Sequence, residues 1–215
     1  MRTTTLEAAV GTSPDGASLM IGGFMAVGTP ERIVDELVRQ RKRDLTVIAN
    51  DTARPGAGIG KLVTAKLVRR AIVSHIGTNP ETQQQMIAGE MEVELIPQGT
   101  LIERIRAAGY GLGGVLTPTG MGTVVEEGKR KIDVDGRDYL LEAPLRADFA
   151  LIQAFLADYL GNLTYVLTAR NFNPVIAMAA ATVIVDAEHV VPVGMIPPDH
   201  VMTPAPLVDY LIARP

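Results

Sequence analysis

Short apolar runs alternate with amphipathic stretches along the chain. The runs have the length of buried strands, and we predict strands over residues 19–22, 45–49, 70–76, 92–96, 149–153 and 182–185. Between them, apolar residues recur at helical spacing, as Ile33 and Leu37 do together with Val38. Strands that alternate with helices predict an α/β fold, with a mostly parallel sheet covered by helices on both faces.

Capping residues indicate where several of the helices begin. Thr29-Pro30-Glu31 and Asn79-Pro80-Glu81 each combine a polar cap, a proline at the first helical position and an acid in the first turn. Thr100 and Asn173 are expected to cap two further helices. The remaining predicted helices cover residues 61–68, 100–106, 173–181 and, as a terminal helix, 205–213.

Two segments interrupt this alternation. Residues 109–122 contain six glycines in fourteen positions, so we predict an irregular stretch that is long for a loop without function. Val134-Asp135-Gly136-Arg137 is a turn signal between two strands and predicts a small antiparallel hairpin. No repeat or linker divides the chain, and we predict a single domain over residues 1–215.

Composition limits the classes of function. Hydrophobic residues make up 47% of the chain but aromatic residues only 4%, so the core must be aliphatic. The absence of cysteine excludes disulfides, zinc-thiolate sites and a cysteine nucleophile, and it fits a reducing cytoplasm. A net charge of −4 without a basic stripe argues against a nucleic-acid partner. We expect a soluble cytoplasmic protein, because the longest apolar run, 175–185, is shorter than the about 20 residues that span a membrane.

Several common catalytic motifs are missing from the sequence. There are three serines and no G-x-S-x-G, so a hydrolase elbow is excluded. The three histidines lie far apart without H-E-x-x-H, there is no Walker lysine motif, and we expect no metal site. The pair Glu126-Glu127 before Gly128-Lys129 is more typical of a solvated turn than of a carboxylate nucleophile.

Ligands of parallel sheets bind where the strands end, so the candidate loops are residues 22–28, 50–60, 97–99 and 111–122. Gly22 and Gly23 directly follow a strand, where glycine lets the backbone approach a ligand closely. The dinucleotide-binding fingerprint is excluded, because Met25 stands where it requires glycine. Spacing alone leaves a tight structural turn as an equally good interpretation.

Polar side chains are expected at the ends of two other strands. Asn50-Asp51-Thr52 could hydrogen-bond a ligand, although an isolated pair of this kind more often forms its own turn. Gln98, next to Gly99, is a neutral amide that could donate to an oxyanion without adding charge. A surface turn is the alternative there as well, and spacing alone favours it.

An ordered series of motifs runs through nearly the whole chain. The first of them begins with Asp15-Gly16, continues after Ala17 and Ser18 with three apolar residues, and ends with G-G-F-x-x-x-G-x-P at Pro30. This signature resembles that of the alpha chains of family I coenzyme A transferases, with no departure. Other similar stretches are residues 45–50, 75–82, 97–106, 117–120, 161–165 and 169–174. Within the family, Asn50-Asp51-Thr52 is similar to the acetate/acetoacetate type, whereas 3-oxoadipate and succinyl-CoA:3-oxoacid types, the alternatives, would have Asn-Asn.

The resemblance implies an enzyme that moves CoA between a short-chain acyl-CoA and a free carboxylate such as acetate, butyrate or acetoacetate. CoA would be a substrate, and no cofactor would be permanently bound. A glutamate attacks the thioester, giving a mixed anhydride and then a glutamyl-CoA thioester in a ping-pong reaction. In the family this glutamate lies in a Ser-Glu-Asn-Gly-type motif of the beta chain, and no such motif occurs here. The resemblance therefore implies a beta-subunit partner in an α2β2 assembly and no nucleophile in this chain.

The resemblance also implies supporting roles for residues of this chain. Gly22, Gly23, Phe24 and Gly28 would shape the site near the thioester. Gln98 would donate to the oxyanion of the tetrahedral intermediates, with Asn50 as a nearby polar contact.

Two questions stay open at this point. The acidic net charge gives no overall attraction for anionic CoA, and the sequence does not choose among Arg54, Lys61, Arg104 and Arg170 as local contacts for its phosphates. Outside the family, the alternatives are a sugar-phosphate isomerase-like enzyme and a non-catalytic CoA-binding module. The isomerase would need an acid/base set within this chain, and none is visible.

Overall fold

The structure is a computed structural model that describes residues 1–213, so residues 214 and 215 of the predicted domain lie outside the described part. The strands are β1 (Arg2–Thr4), β2 (Ser18–Ile21), β3 (Leu45–Asp51), β4 (Val68–His75), β5 (Glu92–Leu95), β6 (Val115–Thr117), β7 (Lys131–Val134), β8 (Arg137–Glu142), β9 (Ala147–Asp158), β10 (Leu163–Thr164), β11 (Ala180–Val191) and β12 (Tyr210–Ile212). The helices are α1 (Leu6–Gly11), α2 (Glu31–Arg39), α3 (Gly60–Thr64), α4 (Pro80–Ile87), α5 (Gln98–Gly109) and α6 (Asn173–Ile176).

The main sheet has the strand order β1-β12-β11-β9-β2-β3-β4-β5, and every neighbouring pair in this order is parallel. The short strand β10 adds one antiparallel pairing, to β9. All six strands predicted from the apolar runs are present. The predicted mostly parallel α/β sheet is confirmed.

Aliphatic side chains fill both sides of the sheet. On one side, residues of β2, β3 and β9 pack against α1, α2 and α3. On the other, the same strands pack against α5 and α6. In β3, Val47 belongs to the first cluster and Ile48 to the second, because successive side chains of a strand point to opposite faces. Helices therefore cover both faces, as predicted.

A second, smaller sheet is formed by β6, β8 and β7. The predicted hairpin joins β7 to β8, and Asp135 and Gly136 both have the positive φ that such a two-residue turn favours. The third strand, β6, lies inside the glycine-rich segment 109–122 and pairs with β8. The prediction that this segment holds no regular element is therefore wrong, because three consecutive non-glycine residues find a partner strand.

Three of the predicted helix caps are wrong. Asn79 does cap α4, but the Thr29 hydroxyl donates to the Gly22 carbonyl oxygen at 3.0 Å instead of capping α2. Thr100 lies inside α5, which begins two residues earlier, directly after Pro97. Asn173 is the first residue of α6 and uses its side chain elsewhere; α6 also ends at Ile176 rather than near residue 181.

Two other predicted helices differ from the structure. The helix predicted over residues 61–68 is shorter, since Lys66 has a φ of 54° and β4 begins at Val68. The predicted terminal helix over residues 205–213 is wrong. A short 3-10 turn is followed by β12, whose backbone pairs with β1 on one side and β11 on the other. Pairing in the sheet thus overrides the local helical pattern.

The turn after β9 depends on the buried carboxylate of Asp158. Oδ1 accepts hydrogen bonds from the backbone N–H groups of Leu160, Gly161 and Asn162 at 2.9–3.0 Å, and Oδ2 accepts from the Asn162 side chain at 2.8 Å. Burial acts to raise the pKa of this carboxyl, but the hydrogen bonds from Asn162 and its neighbours outweigh it and lower the pKa below the ordinary value of 3.8. The charged form is therefore stabilised by folding.

Asp158 should make stability depend on acid pH. A carboxyl with a lowered folded-state pKa contributes stability above its ordinary pKa of 3.8, and this contribution is lost as the pH falls through the folded-state value. Replacing Asp158 with Asn should therefore reduce the free energy of unfolding by about 2 kcal/mol at pH 6 and by less at pH 3. Urea unfolding at both pH values measures this. An equal difference at the two pH values would contradict the prediction.

Candidate active site at the carboxyl ends of the strands

The candidate site residues lie at one edge of the main sheet. Gly22 follows β2, Asn50 and Asp51 are the last residues of β3, and Gln98 follows β5. Asn50 and Asp51 thus still belong to the strand, where the sequence placed them in the loop after it. Register aligns Ala49 of β3 with Val73 of β4, and Val73 with Leu95 at the end of β5, so β3 extends two residues beyond the end of β5 and the two strands lie roughly 10 Å apart.

The segment after β2 forms a tight turn with an unfavourable backbone. Phe24 and Val27 exchange two backbone hydrogen bonds of 2.9 Å each around Met25 and Ala26. Both central residues have positive φ, 50° and 73°. A two-residue turn of this kind favours Asn-Gly, and each non-glycine residue in the left-handed region costs about 1–2 kcal/mol. The side chains of Phe24 and Val27 project from the turn and are exposed.

Internal packing explains the two glycines that precede this turn. A Cβ on Gly22 would lie 1.8 Å from Oδ1 of Asn173. Gly23 has a φ of 112°, and its Cβ would lie 2.2 Å from Oγ1 of Thr29. The structural-turn interpretation therefore suffices for both glycines, although both lie at the edge of the sheet where the site is expected. A bulky residue at Gly23 would be strained before it met any ligand.

The buried side chain of Asn173 joins the segments around this turn. Its Nδ2 donates to the carbonyl oxygens of Gly28 and Ala169, each at 2.9 Å, and its Oδ1 accepts from the backbone N–H of Gln153 at 3.1 Å. A Cβ on Gly28 would come within 2.6 Å of the Cα of Ala169, so the two segments are in close contact. The sequence pattern predicts a helix cap at Asn173 and does not indicate this role, although Asn173 lies in the motif of residues 169–174.

Asp51 connects the turn to Asn50. Its Oδ2 accepts from the Met25 backbone N–H at 3.0 Å and from Nδ2 of Asn50 at 2.8 Å, while its Oδ1 accepts from the Ala53 backbone N–H at 2.7 Å. Asp51 and Asn50 are only 4% and 3% exposed. The sequence suggests a ligand contact or a turn for the run that contains Asp51, and not this link to the Met25 backbone; the signal for it is a carboxylate placed directly after a predicted buried strand.

Asn50 lies on the face of the sheet that α5 covers. Ile48 belongs to the same core cluster as Leu101 of α5, and residues two apart in a strand share a face. The Nδ2 of Asn50 donates to Asp51, whereas its buried Oδ1 has no hydrogen-bond partner among residues 1–213. An unpaired buried acceptor is unfavourable, so this arrangement is held by its surroundings.

Gln98 is the first residue of α5, and its side chain is exposed. It forms no side-chain hydrogen bond within the described part of the chain, and the N-terminus of α5 has no side-chain cap. A groove of about 460 Å³ lies beside it, lined by Gly99, Thr100 and Glu103 of α5 and by Val115–Thr117 of β6. The predicted loops 97–99 and 111–122 are therefore neighbours in space. The free amide and the uncapped N–H groups offer hydrogen-bond donors to a ligand.

The structure distinguishes the four candidate basic residues. Lys61 lies 2.6 Å from both Glu31 and Asp35; burial acts to lower its pKa, but these partners outweigh burial and raise it. Arg104 donates to the Ala143 carbonyl oxygen, and Arg170 donates to that of Tyr165. Arg54 is exposed and forms no ion pair with any described residue.

Other groups in the described residues do not suggest a different chemistry. No cluster of three or more His, Cys, Asp or Glu side chains within residues 1–213 could hold a metal ion. Glu126 accepts from the Gly122 backbone N–H at 2.7 Å and pairs with Lys131, and these contacts lower its pKa. Glu126 thus makes the contacts of a turn residue rather than those of a free carboxylate nucleophile. None of the helices between residues 1 and 213 has the length and apolar character needed to cross a membrane.

Comparisons with known proteins agree with this architecture. A family model described as "Coenzyme A transferase" matches residues 3–214. The chain is 57% identical to the acetate CoA-transferase subunit alpha of Escherichia coli over 208 residues, which cover 97% of this chain and 94% of that protein. It is 51% identical to the acetoacetyl-CoA:acetate/butyrate CoA transferase alpha subunit of Clostridium acetobutylicum over 201 residues, covering 94% and 92% of the two chains.

A solved structure shows the same fold. The match is an acyl-CoA transferase of Escherichia coli in a thioester complex with CoA, with a TM-score of 0.87 and 24% sequence identity. It covers 99% of this chain but only 47% of that one, so this chain spans about half the length of the solved protein. At this identity the likeness shows the fold alone.

Replacing Gly22 with Ala should destabilise the protein by about 2–3 kcal/mol, as overpacking does. The new Cβ would meet the Asn173 amide at 1.8 Å, and three hydrogen bonds hold that amide in place. Gly113→Ala is the matched control, since a Cβ there meets nothing within 4 Å. Thermal and urea unfolding of the two variants measure the difference. Equal stability of both variants would show that the contact between residues 22 and 173 is not tight.

Proposed function

The chain belongs to the coenzyme A transferase family, and we propose that it is the alpha subunit of an enzyme that moves CoA between a short-chain acyl-CoA and a free carboxylate. One observation carries this proposal: the sheet edge presents hydrogen-bond donors for a developing oxyanion, namely the free Gln98 amide and the uncapped backbone N–H groups of α5. Such a site suits a subunit that supports a reaction whose attacking group comes from another chain. The names of the two most similar relatives given above support acetate, butyrate and acetoacetate as the substrate class.

Gln98 is the residue we assign to the oxyanion. Its side chain has no partner within residues 1–213, so both of its N–H groups can point at a ligand. The positive end of α5 lies at the same position, and an uncapped helix N-terminus favours negative charge. Each tetrahedral intermediate of the transfer carries that charge on the former carbonyl oxygen. The glycine turn with Phe24 and Gly28, and Asn50 at the end of β3, form the other side of the proposed site.

The nucleophile is assigned to a beta subunit. Its glutamate attacks the thioester carbonyl, CoA leaves as the thiolate, and a mixed anhydride remains. The thiolate then attacks the glutamyl carbonyl and releases the carboxylate, which gives a glutamyl-CoA thioester; the incoming acid reverses both steps. The solved acyl-CoA transferase is about twice as long as this chain, which supports the need for a second half. An α2β2 assembly is part of the proposal.

Arg54 is the residue we assign to the CoA phosphates. It follows Asp51 closely in the chain, is exposed and forms no ion pair with the described residues. Lys61 and Arg104 are less suited, because acidic side chains of this chain already surround them.

The chain alone should have no CoA-transferase activity and should gain it with its beta partner. The reason is the missing glutamate motif. Co-expression and co-purification of both chains, followed by an acetyl-CoA transfer assay, test this, and light scattering reports the assembly. Robust turnover by the purified chain without any partner would contradict the proposal.

Gln98→Ala in the assembled enzyme should lower kcat by about 10²–10³-fold, the usual loss for one oxyanion donor. KM should change less, since the donor acts mainly when charge develops. Gln84→Ala is the matched control, because Gln84 is an exposed glutamine on α4. Steady-state kinetics of both variants give the answer. An unchanged kcat in assembled Gln98→Ala would remove Gln98 from the site.

A further inference from the structure

We propose that Asp51 is a positioning residue for the transfer reaction, because its carboxylate fixes the Met25-Ala26 turn and the Asn50 amide in one arrangement. This inference rests on the proposed function. Asp51 touches neither substrate nor CoA in this account. It acts through two neighbours that lie at the proposed site.

The turn depends on contacts from outside itself. Met25 and Ala26 both occupy the left-handed region, where neither residue type is favoured. The two Phe24–Val27 backbone bonds close the turn, but they do not select this backbone for a Met-Ala pair. The 3.0 Å bond from the Met25 N–H to Asp51 fixes the first strained residue to the end of β3. A weaker contact, from the Thr78 hydroxyl to the Met25 sulfur, adds to it.

Asn50 depends on the same carboxylate. Its Nδ2 donates to Asp51 at 2.8 Å, and this is its one side-chain hydrogen bond within residues 1–213. A flipped amide would place Oδ1 against a carboxylate oxygen, so Asp51 also selects which end of the amide faces it. The Ser74 hydroxyl donates to the Asn50 carbonyl oxygen at 2.7 Å and fixes its backbone. The direction of the amide therefore follows from Asp51.

The carboxylate of Asp51 accepts hydrogen bonds from all three donors that surround it in this chain. Met25, Asn50 and Ala53 all present N–H groups to its two oxygens. An asparagine at this position would keep the shape but would turn an N–H toward one set of these donors. The Ala53 bond would be lost if the amide oxygen takes the place of Oδ2, and the bonds to Met25 and Asn50 if it takes the place of Oδ1; in either case the bonds that remain are weaker than those to a charged carboxylate. Asp51→Asn is thus an isosteric test of positioning.

The test compares four assembled enzymes: wild type, Asp51→Asn, Ala26→Gly and the double variant. Asp51→Asn should lower kcat by about 10–100-fold, the loss typical of a misplaced site, with a smaller change in KM. Ala26→Gly removes left-handed strain, so the turn forms with less help from Asp51. The double variant should therefore recover several-fold of the kcat that Asp51→Asn loses, and Ala26→Gly alone is measured as its reference. Asp35→Asn, which removes an exposed carboxylate bound to Lys61, is the control and should keep full activity.

A merely structural role would lower thermal stability without this pattern. We expect the kcat of Asp51→Asn to be lower than that of wild type even at temperatures well below the Tm of the variant. We also expect the double variant to have a higher kcat than Asp51→Asn. A kcat within about twofold of wild type in assembled Asp51→Asn, or a loss that Ala26→Gly does not reduce, overturns the proposal.

Hydrogen exchange separates this inference from the proposed function. The backbone amides of residues 22–28 should exchange at least about tenfold faster in Asp51→Asn than in wild type. This readout needs no CoA transfer, so it supports or overturns the positioning role even if the wild-type complex transfers no CoA. Unchanged exchange in this segment overturns the role of Asp51 in holding the turn. A wild-type complex without CoA transfer contradicts the proposed function alone.

Discussion

Parallel pairing of β2, β3, β4 and β5 is the constraint on which the site depends. Parallel strands cannot be joined by a tight turn, so each strand must leave the sheet at the same edge and return through a crossover. In this chain the crossovers are helices, and their starting segments meet at the carboxyl ends of the strands. The glycine turn, the Asn50-Asp51 pair and Gln98 are separate in sequence, and for this reason all of them lie at the carboxyl ends of these strands. The aliphatic core on both faces keeps that edge in register.

Energetically unfavourable backbone and side-chain arrangements are concentrated at this edge of the sheet. The hydrogen bonds of buried polar side chains offset part of their free-energy cost. The turn holds two non-glycine residues with positive φ, and Asn50 keeps an unpaired buried acceptor. Asp51 and Asn173 oppose these costs with three hydrogen bonds each. Strain of this kind persists only where the surrounding structure over-determines it, and it is enriched at functional sites. That pattern supports the location of the proposed site independently of any family resemblance.

Features that depend on local chemistry could be predicted from the sequence. The apolar runs gave the six strands, Asn79 was recognised as a cap, and Asp135-Gly136 was recognised as a hairpin turn. Features that depend on distant partners could not. β12 is a strand because β1 and β11 lie on either side of it, and Thr29 uses its hydroxyl on Gly22 rather than on α2. Likewise the sequence suggests candidate site residues but not the side chains that support them, since the contacts of Asp51 with Met25 and of Asn173 with Gly28 and Gln153 join residues 20 or more positions apart.

The central claim is that this chain positions the substrates while a partner chain supplies the attacking carboxylate. The most direct measurement is the intact mass of each subunit after the assembled enzyme is incubated with acetyl-CoA without an acceptor acid. The account predicts that CoA becomes covalently bound to the beta chain, whereas the mass of this chain does not change. A CoA adduct on this chain, mapped by peptide mass to one of its own glutamates or aspartates, would contradict the account.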